Sequence, residues 1–359
     1  MSRPSPVPPF TPDGLIGVPI RAGAAPRRIV LIRLRAFGDT AITFPLLGAL
    51  RARWPSLRLE VVTDIRSESL FAAHRDVDAV HAYDTRRTKW PKAASVLRIA
   101  LAIRRRGLPV VLDLQRNRWS RLLTRLLVPR AWAAFDRHAP RTALTRYLDA
   151  AEKLGLGRLE PLLAPCAKEE PLGKAHAFLE TAGRDPSRPL VCLNPAGGWE
   201  TRQWPLVRYA ELGRRLAADG CQLMTLSAAP VPARFRGLRE ALGNLLFDFS
   251  GQTSPGVALA LVSLASLVVS DDSGLMHLAW VQGVPTVALF GASRSAWSRP
   301  EGPGSTGFYS EDLACGACMQ PVCARVDLHC LDRVSVEDVL ERCRPLLPSR
   351  DSRARKEET

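Results

Sequence analysis

Nowhere do the 359 residues offer the roughly 18 uninterrupted apolar residues that a membrane-crossing helix needs. The longest candidate, residues 257–269, is short and carries Ser263 and Ser266. A secretory signal is missing as well, because Pro4, Pro6, Pro8, Pro9 and Pro12 interrupt the start before any apolar run develops. The expected setting is therefore the reducing cytoplasm. There the 8 cysteines serve as core residues, metal ligands or redox thiols rather than as a disulfide framework. Acid is scarce in one half only. Residues 27–165 hold 27 Lys and Arg against 12 Asp and Glu, while residues 166–359 hold 21 against 22. The formal net charge of +15 thus sits in the first half. That half is pointed toward an anionic partner: nucleic acid, a membrane surface or a phosphorylated substrate. With 46% hydrophobic and 24% charged residues the chain is otherwise globular, and wholesale disorder is excluded.

The hydrophobic pattern divides the chain. Residues 1–26 are rich in Pro and Gly and read as a disordered leader. A first domain is expected over 27–165, a second over 166–347, and a polar tail over 348–359. Ile29-Val30-Leu31-Ile32 is a strand, followed by a helix over 40–53, strands over 59–63, 77–83 and 110–114, and a helix over 93–106. The pattern restarts with strands over 190–193, 222–226, 245–249, 267–270 and 286–290, interleaved with helices over 205–219, 257–266 and 275–282. Strand–helix alternation implies βαβ units and parallel sheets, hence an α/β protein of two similar halves joined near residue 165. Such sheets bind ligands at the C-terminal ends of their strands, and two of them facing each other would share a central cleft.

Four stretches carry candidate chemistry. In Arg33-Leu34-Arg35-Ala36-Phe37-Gly38-Asp39-Thr40, Asp39 stands at a strand-to-helix turn, as a helix N-cap or as a carboxylate presented to a ligand. In Asn194-Pro195-Ala196-Gly197-Gly198-Trp199-Glu200-Thr201-Arg202-Gln203-Trp204-Pro205, Gly197 and Gly198 let backbone N–H groups approach a ligand, and Arg202 adds a charge suited to phosphate. Ser270-Asp271-Asp272-Ser273-Gly274-Leu275-Met276-His277 joins an apolar strand to a helix start, an arrangement suited to anions. Ser273 and Gly274 could hold a diphosphate there, with His277 either aimed the same way or satisfied within the helix. Cys315, Cys318, Cys323 and Cys330 open with a C-x2-C spacing that suits a structural Zn or Fe ion, with loop-packing thiols as the rival. Cys166, Cys192, Cys221 and Cys343 read as core residues or as incidental.

Taken together in this order, the motifs resemble glycosyltransferase family 9, the ADP-heptose:lipopolysaccharide heptosyltransferases. The resemblance rests on I-V-L-I-R-L-R-A-F-G-D-T, on R-Q-W-P at 202–205, and on S-D-D-S-G-L-M-H followed by G-V-P-T-V-A-L-F-G. It implies a GT-B fold of two Rossmann-like parallel-sheet domains facing a central cleft, the first binding acceptor and the second nucleotide-sugar. It also implies an inverting transfer of heptose or a related sugar from an ADP-sugar to an acidic lipopolysaccharide-core or other glycan acceptor. It further implies Asp39 as the base, and Gly197, Gly198, Arg202, Asp272, Ser273, Gly274 and His277 as donor-binding residues. No cofactor is implied for catalysis. Three departures stand out: Arg202 where Lys is usual, Ser227-Ala228-Ala229-Pro230 in place of glycine or an acidic residue, and Gly251-Gln252-Thr253 in place of Gly-Lys-Thr.

The implied acceptor gives the basic half a purpose. Arg104, Arg105, Arg106, Arg116, Arg118 and Arg121 could hold an anionic lipid-linked glycan, with the protein peripheral at the inner face of the cytoplasmic membrane. A glycosyltransferase using another nucleotide-sugar is the nearest alternative. A basic nucleic-acid-binding protein ranks low, since no reading module appears and few aromatics lie among the basic residues. A Rossmann oxidoreductase is weakened by the missing G-x-G-x-x-G. No nucleic-acid partner is expected.

Overall fold

The computed structural model describes residues 17–20, 25–86 and 88–348. The chain divides into two units, Met1–Leu162 and Leu163–Thr359. Each is built on one six-stranded sheet.

The first sheet has the order β1-β6-β5-β2-β3-β4, with β1 Gly17–Val18, β2 Arg28–Ile32, β3 Arg58–Asp64, β4 Ala79–Tyr83, β5 Val110–Asp113 and β6 Ala131–Ala134. All pairings are parallel except β1 with β6. The central strands are nearly continuous apolar runs because helices cover both faces of a parallel sheet. Val30, Ile32, Val62, Val111 and Trp132 pack on one side against Val96, Ile99 and Ile103 of the helix Lys89–Arg104 and Leu123 and Leu127 of the helix Arg118–Leu127. Register sets Ile32 beside both Val62 and Asp113, so the residues after these strands emerge together at one edge.

The second sheet has the order β12-β11-β10-β7-β8-β9, all parallel, with β7 Leu190–Asn194, β8 Gln222–Thr225, β9 Leu246–Asp248, β10 Leu267–Asp271, β11 Thr286–Leu289 and β12 Ser305–Phe308. Its core joins Val191, Leu193, Leu223, Val269, Val287 and Leu289 to the buried Trp204 and Tyr209. Of the two readings of Cys166, Cys192, Cys221 and Cys343 the core one holds, since all four are buried.

Three expectations need correction. The leader over 1–26 is not unstructured throughout: Gly17 and Val18 extend the sheet beside Ala133 and Trp132, and the Ile20 N–H donates to the Leu154 carbonyl at 2.9 Å. Its residues 1–16 and 21–24 lie outside the described residues, as do residues 349–359 of the tail. The single helix over 40–53 is two, Phe37–Ala41 and Phe44–Arg53. Pro45 causes the restart, because a proline lacks the N–H an interior position needs yet is tolerated in a first turn. The helix expected over 93–106 begins at Lys89, since Pro91 falls within its first turn and does not delay it.

Candidate functional site

In the first unit the site begins where β2 ends. Asp39 is not the N-cap of the helix Phe37–Ala41. Ala36 is, and Asp39 occupies the third helical position, accepting weakly from the Ala36 N–H at 3.4 Å. Its side chain stays 42% exposed, so one carboxylate supports the helix start and still faces solvent. Arg33 holds it. This arginine is almost completely buried, and its guanidinium donates to Asp39 and to the Leu114 carbonyl. It sits 5.5 Å from the ring of Tyr147 and 6.0 Å from that of Phe135. Gln115 Oε1 accepts from the N–H groups of Leu34 and Arg35, each at 2.9 Å, and so fixes the strand exit. Asp113 in turn accepts from the N–H groups of Gln115 and Arg116 and from Ser120 Oγ, and its full burial pushes its carboxyl up. Arg33, Gln115 and Tyr147 were not singled out from the sequence, since their partners lie 6, 80 and more than 100 residues away.

In the second unit the corresponding edge is formed by β7 and β10. Register pairs Ser270 with Asn194, and Asn194 Nδ2 donates to Ser270 Oγ at 2.7 Å and to Ser273 Oγ at 2.8 Å. Ser273 is the N-cap of the helix Gly274–Trp280, which places the Gly274 N–H at the strand exit. Arg202 and Asp272 are brought together, with Nη1 to Oδ2 at 3.4 Å. The guanidinium carbon of Arg202 also lies 3.8 Å from the ring centre of Trp199. Gly197 has no room for a side chain, because a Cβ there would lie 2.3 Å from the Arg202 carbonyl oxygen. Gly198 faces open space. His277 is buried, and its Nδ1 accepts from Trp280 Nε1 at 3.0 Å, so that nitrogen is satisfied within its own helix.

The residue that organises this edge is Asp271, which the sequence reading passed over for its neighbour. Its Oδ1 accepts from the Trp204 N–H at 3.1 Å and from Tyr209 Oη at 3.0 Å, and its Oδ2 accepts from the Gly197 N–H at 3.1 Å. Complete burial pushes its carboxyl up to about 7, against the opposing charge of Arg234 and these three hydrogen bonds. Arg234 donates to the carbonyls of Trp204 at 2.6 Å and Pro195 at 3.2 Å. Both ends of the loop that carries Arg202 are thus tied to one buried carboxylate and one arginine.

Around the same edge, Asn194 Oδ1, Arg202 Nε, Ser227 Oγ, Ser250 Oγ and Ser293 Oγ are shielded from solvent without a hydrogen-bond partner. They lie at or just beyond the C-terminal ends of β7, β8, β9 and β11. A native fold seldom leaves so many polar atoms unpaired along one edge unless something polar binds there.

The four clustered thiols are not assembled as a ligand set. Among the described residues, no group of three or more His, Cys, Asp or Glu side chains is placed to hold a metal ion. Cys315 and Cys318 are exposed, while Cys323 and Cys330 are half-buried. Their segment is anchored by backbone ties: the Met319 N–H donates to the Ala292 carbonyl at 2.8 Å, Thr201 Oγ1 donates to the Gln320 carbonyl at 2.6 Å, and the Ala317 N–H donates to Ser310 Oγ at 3.0 Å. The expected Zn or Fe ligand set is thus not brought together, and backbone hydrogen bonds hold the segment.

The family model of glycosyltransferase family 9 (heptosyltransferase) matches residues 98–329. Lipopolysaccharide heptosyltransferase 1 of Pseudomonas aeruginosa is 25% identical over 324 residues, which is 82% of this chain and 87% of that protein. Among solved structures, a family 9 glycosyltransferase from Veillonella parvula superposes with a TM-score of 0.74 at 20% identity, covering 89% of this chain and 97% of its own. The E. coli ADP-heptose LPS heptosyltransferase II does so with a TM-score of 0.70 at 19% identity, covering 89% and 98%. The shared fold is GT-B.

Proposed function

The chain belongs to glycosyltransferase family 9 and is a glycosyltransferase; from that premise we propose that it transfers a heptose, or a related sugar, from an ADP-sugar to an acidic lipopolysaccharide-core glycan. The transfer inverts the anomeric centre and needs no cofactor. Asp39 takes the proton of the acceptor hydroxyl as its oxygen attacks the anomeric carbon. The nucleoside diphosphate leaves with growing negative charge, against Arg202, the Gly197 and Gly198 backbone and the helix start at Ser273 and Gly274. Asp272 steadies Arg202, and His277 supports the helix turn that faces the phosphates. The four thiols, Cys315, Cys318, Cys323 and Cys330, stand apart in the structure, and only drawn together would they hold one structural Zn or Fe ion. The protein works at the inner face of the cytoplasmic membrane, where its acceptor is lipid-linked.

The observation that carries this reading is the row of unpaired buried polar atoms along the C-terminal edge of the second sheet. Two of them, Asn194 Oδ1 and Arg202 Nε, belong to side chains in contact with the Ser273 turn and Asp272, where a diphosphate would be met. The acidic acceptor is supported by the excess of base in residues 27–165. The test is turnover: ADP-heptose and a deacylated core acceptor should yield a glycan heavier by one heptose, with inverted anomeric configuration by NMR. UDP-sugars turning over while ADP-heptose does not would reject the donor.

A further inference from the structure

Between Asp84 and Asp136 the chain carries 13 Lys and Arg and a single acidic residue, Asp113. Asp113 is buried and spent on Gln115, Arg116 and Ser120, so it offsets nothing at the surface. This stretch contains the two helices Lys89–Arg104 and Arg118–Leu127, which pack side by side on one face of the first sheet. Trp119 joins them, with Lys92 Nζ 5.4 Å and the Arg118 guanidinium 5.5 Å from its ring.

The outer face of the first helix is not that of a solvated helix. Its inner stripe, Val96, Ile99, Ala100 and Ile103, is buried in the core. A surface helix is normally polar on the opposite side. Here Trp90 is 87% exposed, Leu97 48% and Leu101 47%. Their spacing of 7 and 11 residues sets them within about 40° of one another around the helix axis, so they form one stripe. On the neighbouring helix Leu122 is exposed too, among Arg118, Arg121 and Arg125. Lys89, Arg98, Arg105, Arg106 and Arg118 make no ion pair with a carboxylate among the described residues.

We infer that this face is a docking surface for an anionic phospholipid leaflet, with Trp90, Leu97, Leu101 and Leu122 entering the interfacial region and the surrounding arginines meeting the headgroups. Apolar side chains set in a field of uncompensated base are what an interfacial helix presents to such a leaflet, and tryptophan is favoured at that depth. No helix among the described residues is long and apolar enough to cross a membrane, so the contact is lateral. A nucleic acid would use the base but has no use for the leucines. The position also suits the chemistry. The helix that begins at Lys89 follows β4, so its Trp90 end lies at the edge of the sheet from which Asp39 emerges. Docking would bring a lipid-linked acceptor to that edge. In this respect the inference rests on the proposed acceptor, but lipid binding can be read without any transfer.

The experiment is co-sedimentation of the full chain with phosphatidylglycerol vesicles, with phosphatidylcholine vesicles and duplex DNA as the other arms. The wild type should sediment with phosphatidylglycerol and not with phosphatidylcholine. Brominated phosphatidylglycerol should quench a fluorescence component that Trp90→Phe removes. The exposed triple variant Trp90→Ala, Leu97→Ser, Leu101→Ser should lose about tenfold or more in vesicle affinity, with circular dichroism and melting unchanged. Arg98→Gln with Arg105→Gln should lose about fivefold per charge at low salt. Unchanged vesicle affinity in the triple variant would overturn the inference, as would DNA binding tighter than vesicle binding, and the face would then be only a polyanion-binding one. Failure of heptose transfer with vesicle binding intact would reject the proposed reaction and leave this surface standing.

Discussion

The backbone N–H of Gly197 and the carboxylate of Asp271, 74 residues apart, meet at 3.1 Å inside the second unit. Asp271 also receives the Trp204 N–H and Tyr209 Oη, so this one carboxylate gathers both ends of the Arg202 loop. Its carboxyl is raised to about 7 from an ordinary value of 3.8, chiefly by burial. An acid whose pKa is raised by folding contributes stability that is complete below about pH 4. That contribution falls as the pH climbs toward about 7, because the unfolded chain releases its proton first. Asp271→Asn should therefore flatten the fall in urea midpoint across this range, while weakening ADP binding at every pH. A wild-type midpoint that rises from pH 4 to 7 as steeply as that of the variant would remove Asp271 from this role.

Asp39→Asn should abolish transfer while leaving donor binding nearly unchanged. The variant keeps a side chain that can accept from the Ala36 N–H but cannot take a proton, so kcat should drop by about two to four orders of magnitude. Isothermal titration with ADP should give the wild-type affinity. Most of the turnover surviving at neutral pH would take the base role away from Asp39.

Arg202→Ala should weaken ADP binding by about 1.5–3 kcal/mol, the range for a hydrogen bond to a charged group. Adenosine binding should change little, because the lost contacts are to the diphosphate. His277→Ala should show the same preference but also lower the melting temperature, since it strands the buried Trp280 indole N–H. Equal losses for ADP and adenosine would count against both assignments.

Gly197→Ala and Gly198→Ala should behave differently although the residues are neighbours. A methyl group at 197 would lie 2.3 Å from the Arg202 carbonyl oxygen and must displace the loop, whereas one at 198 meets nothing within 4 Å. Donor affinity and melting temperature should both fall in the first variant and stay near wild type in the second. Equivalent behaviour would show that the loop relaxes freely.

These contrasts show which features local sequence could reveal. Strands such as Ile29-Val30-Leu31-Ile32 and Leu267-Val268-Val269 announce themselves because a parallel strand covered on both faces is a continuous apolar run. The helix Arg118–Leu127 is marked differently, by an amphipathic pattern: its arginines face outward, Leu123 and Leu127 are buried, and Trp119 and Leu126 pack against the core. Within the site, Asp39, Arg202 and Ser273 lie at strand-to-helix or loop positions visible as local motifs. Asp271 and Arg33 do their work through partners distant in sequence, and next to Asp272 and Asp39 nothing local marks them out. The difference between Gly197 and Gly198 depends on where the Arg202 carbonyl lies, which spacing alone does not specify.

The cysteine segment reaches the donor loop directly, because Thr201, next to Arg202, donates to the Gln320 carbonyl. Backbone ties hold the segment near Ala292, Thr201 and Ser310, yet four non-glycine residues within it, Ala317, Met319, Val326 and Leu328, have left-handed backbone angles. Such conformations persist where surrounding structure over-determines them. The exposed stretch between Cys318 and Cys330 has few buried contacts to do so. Four thiolates drawn onto one Zn or Fe ion would supply that constraint, and the binding would add directly to folding free energy. Protein purified anaerobically without chelator should carry about one metal per chain. Stripping the metal should lower the melting temperature and, through Thr201, weaken ADP binding. The metal would be structural, because four thiolates fill a tetrahedral site and leave no position for substrate. Metal-free protein with all four thiols freely titratable, and ADP affinity unaffected by chelator, would reduce the cluster to surface cysteines on a hydrogen-bonded loop.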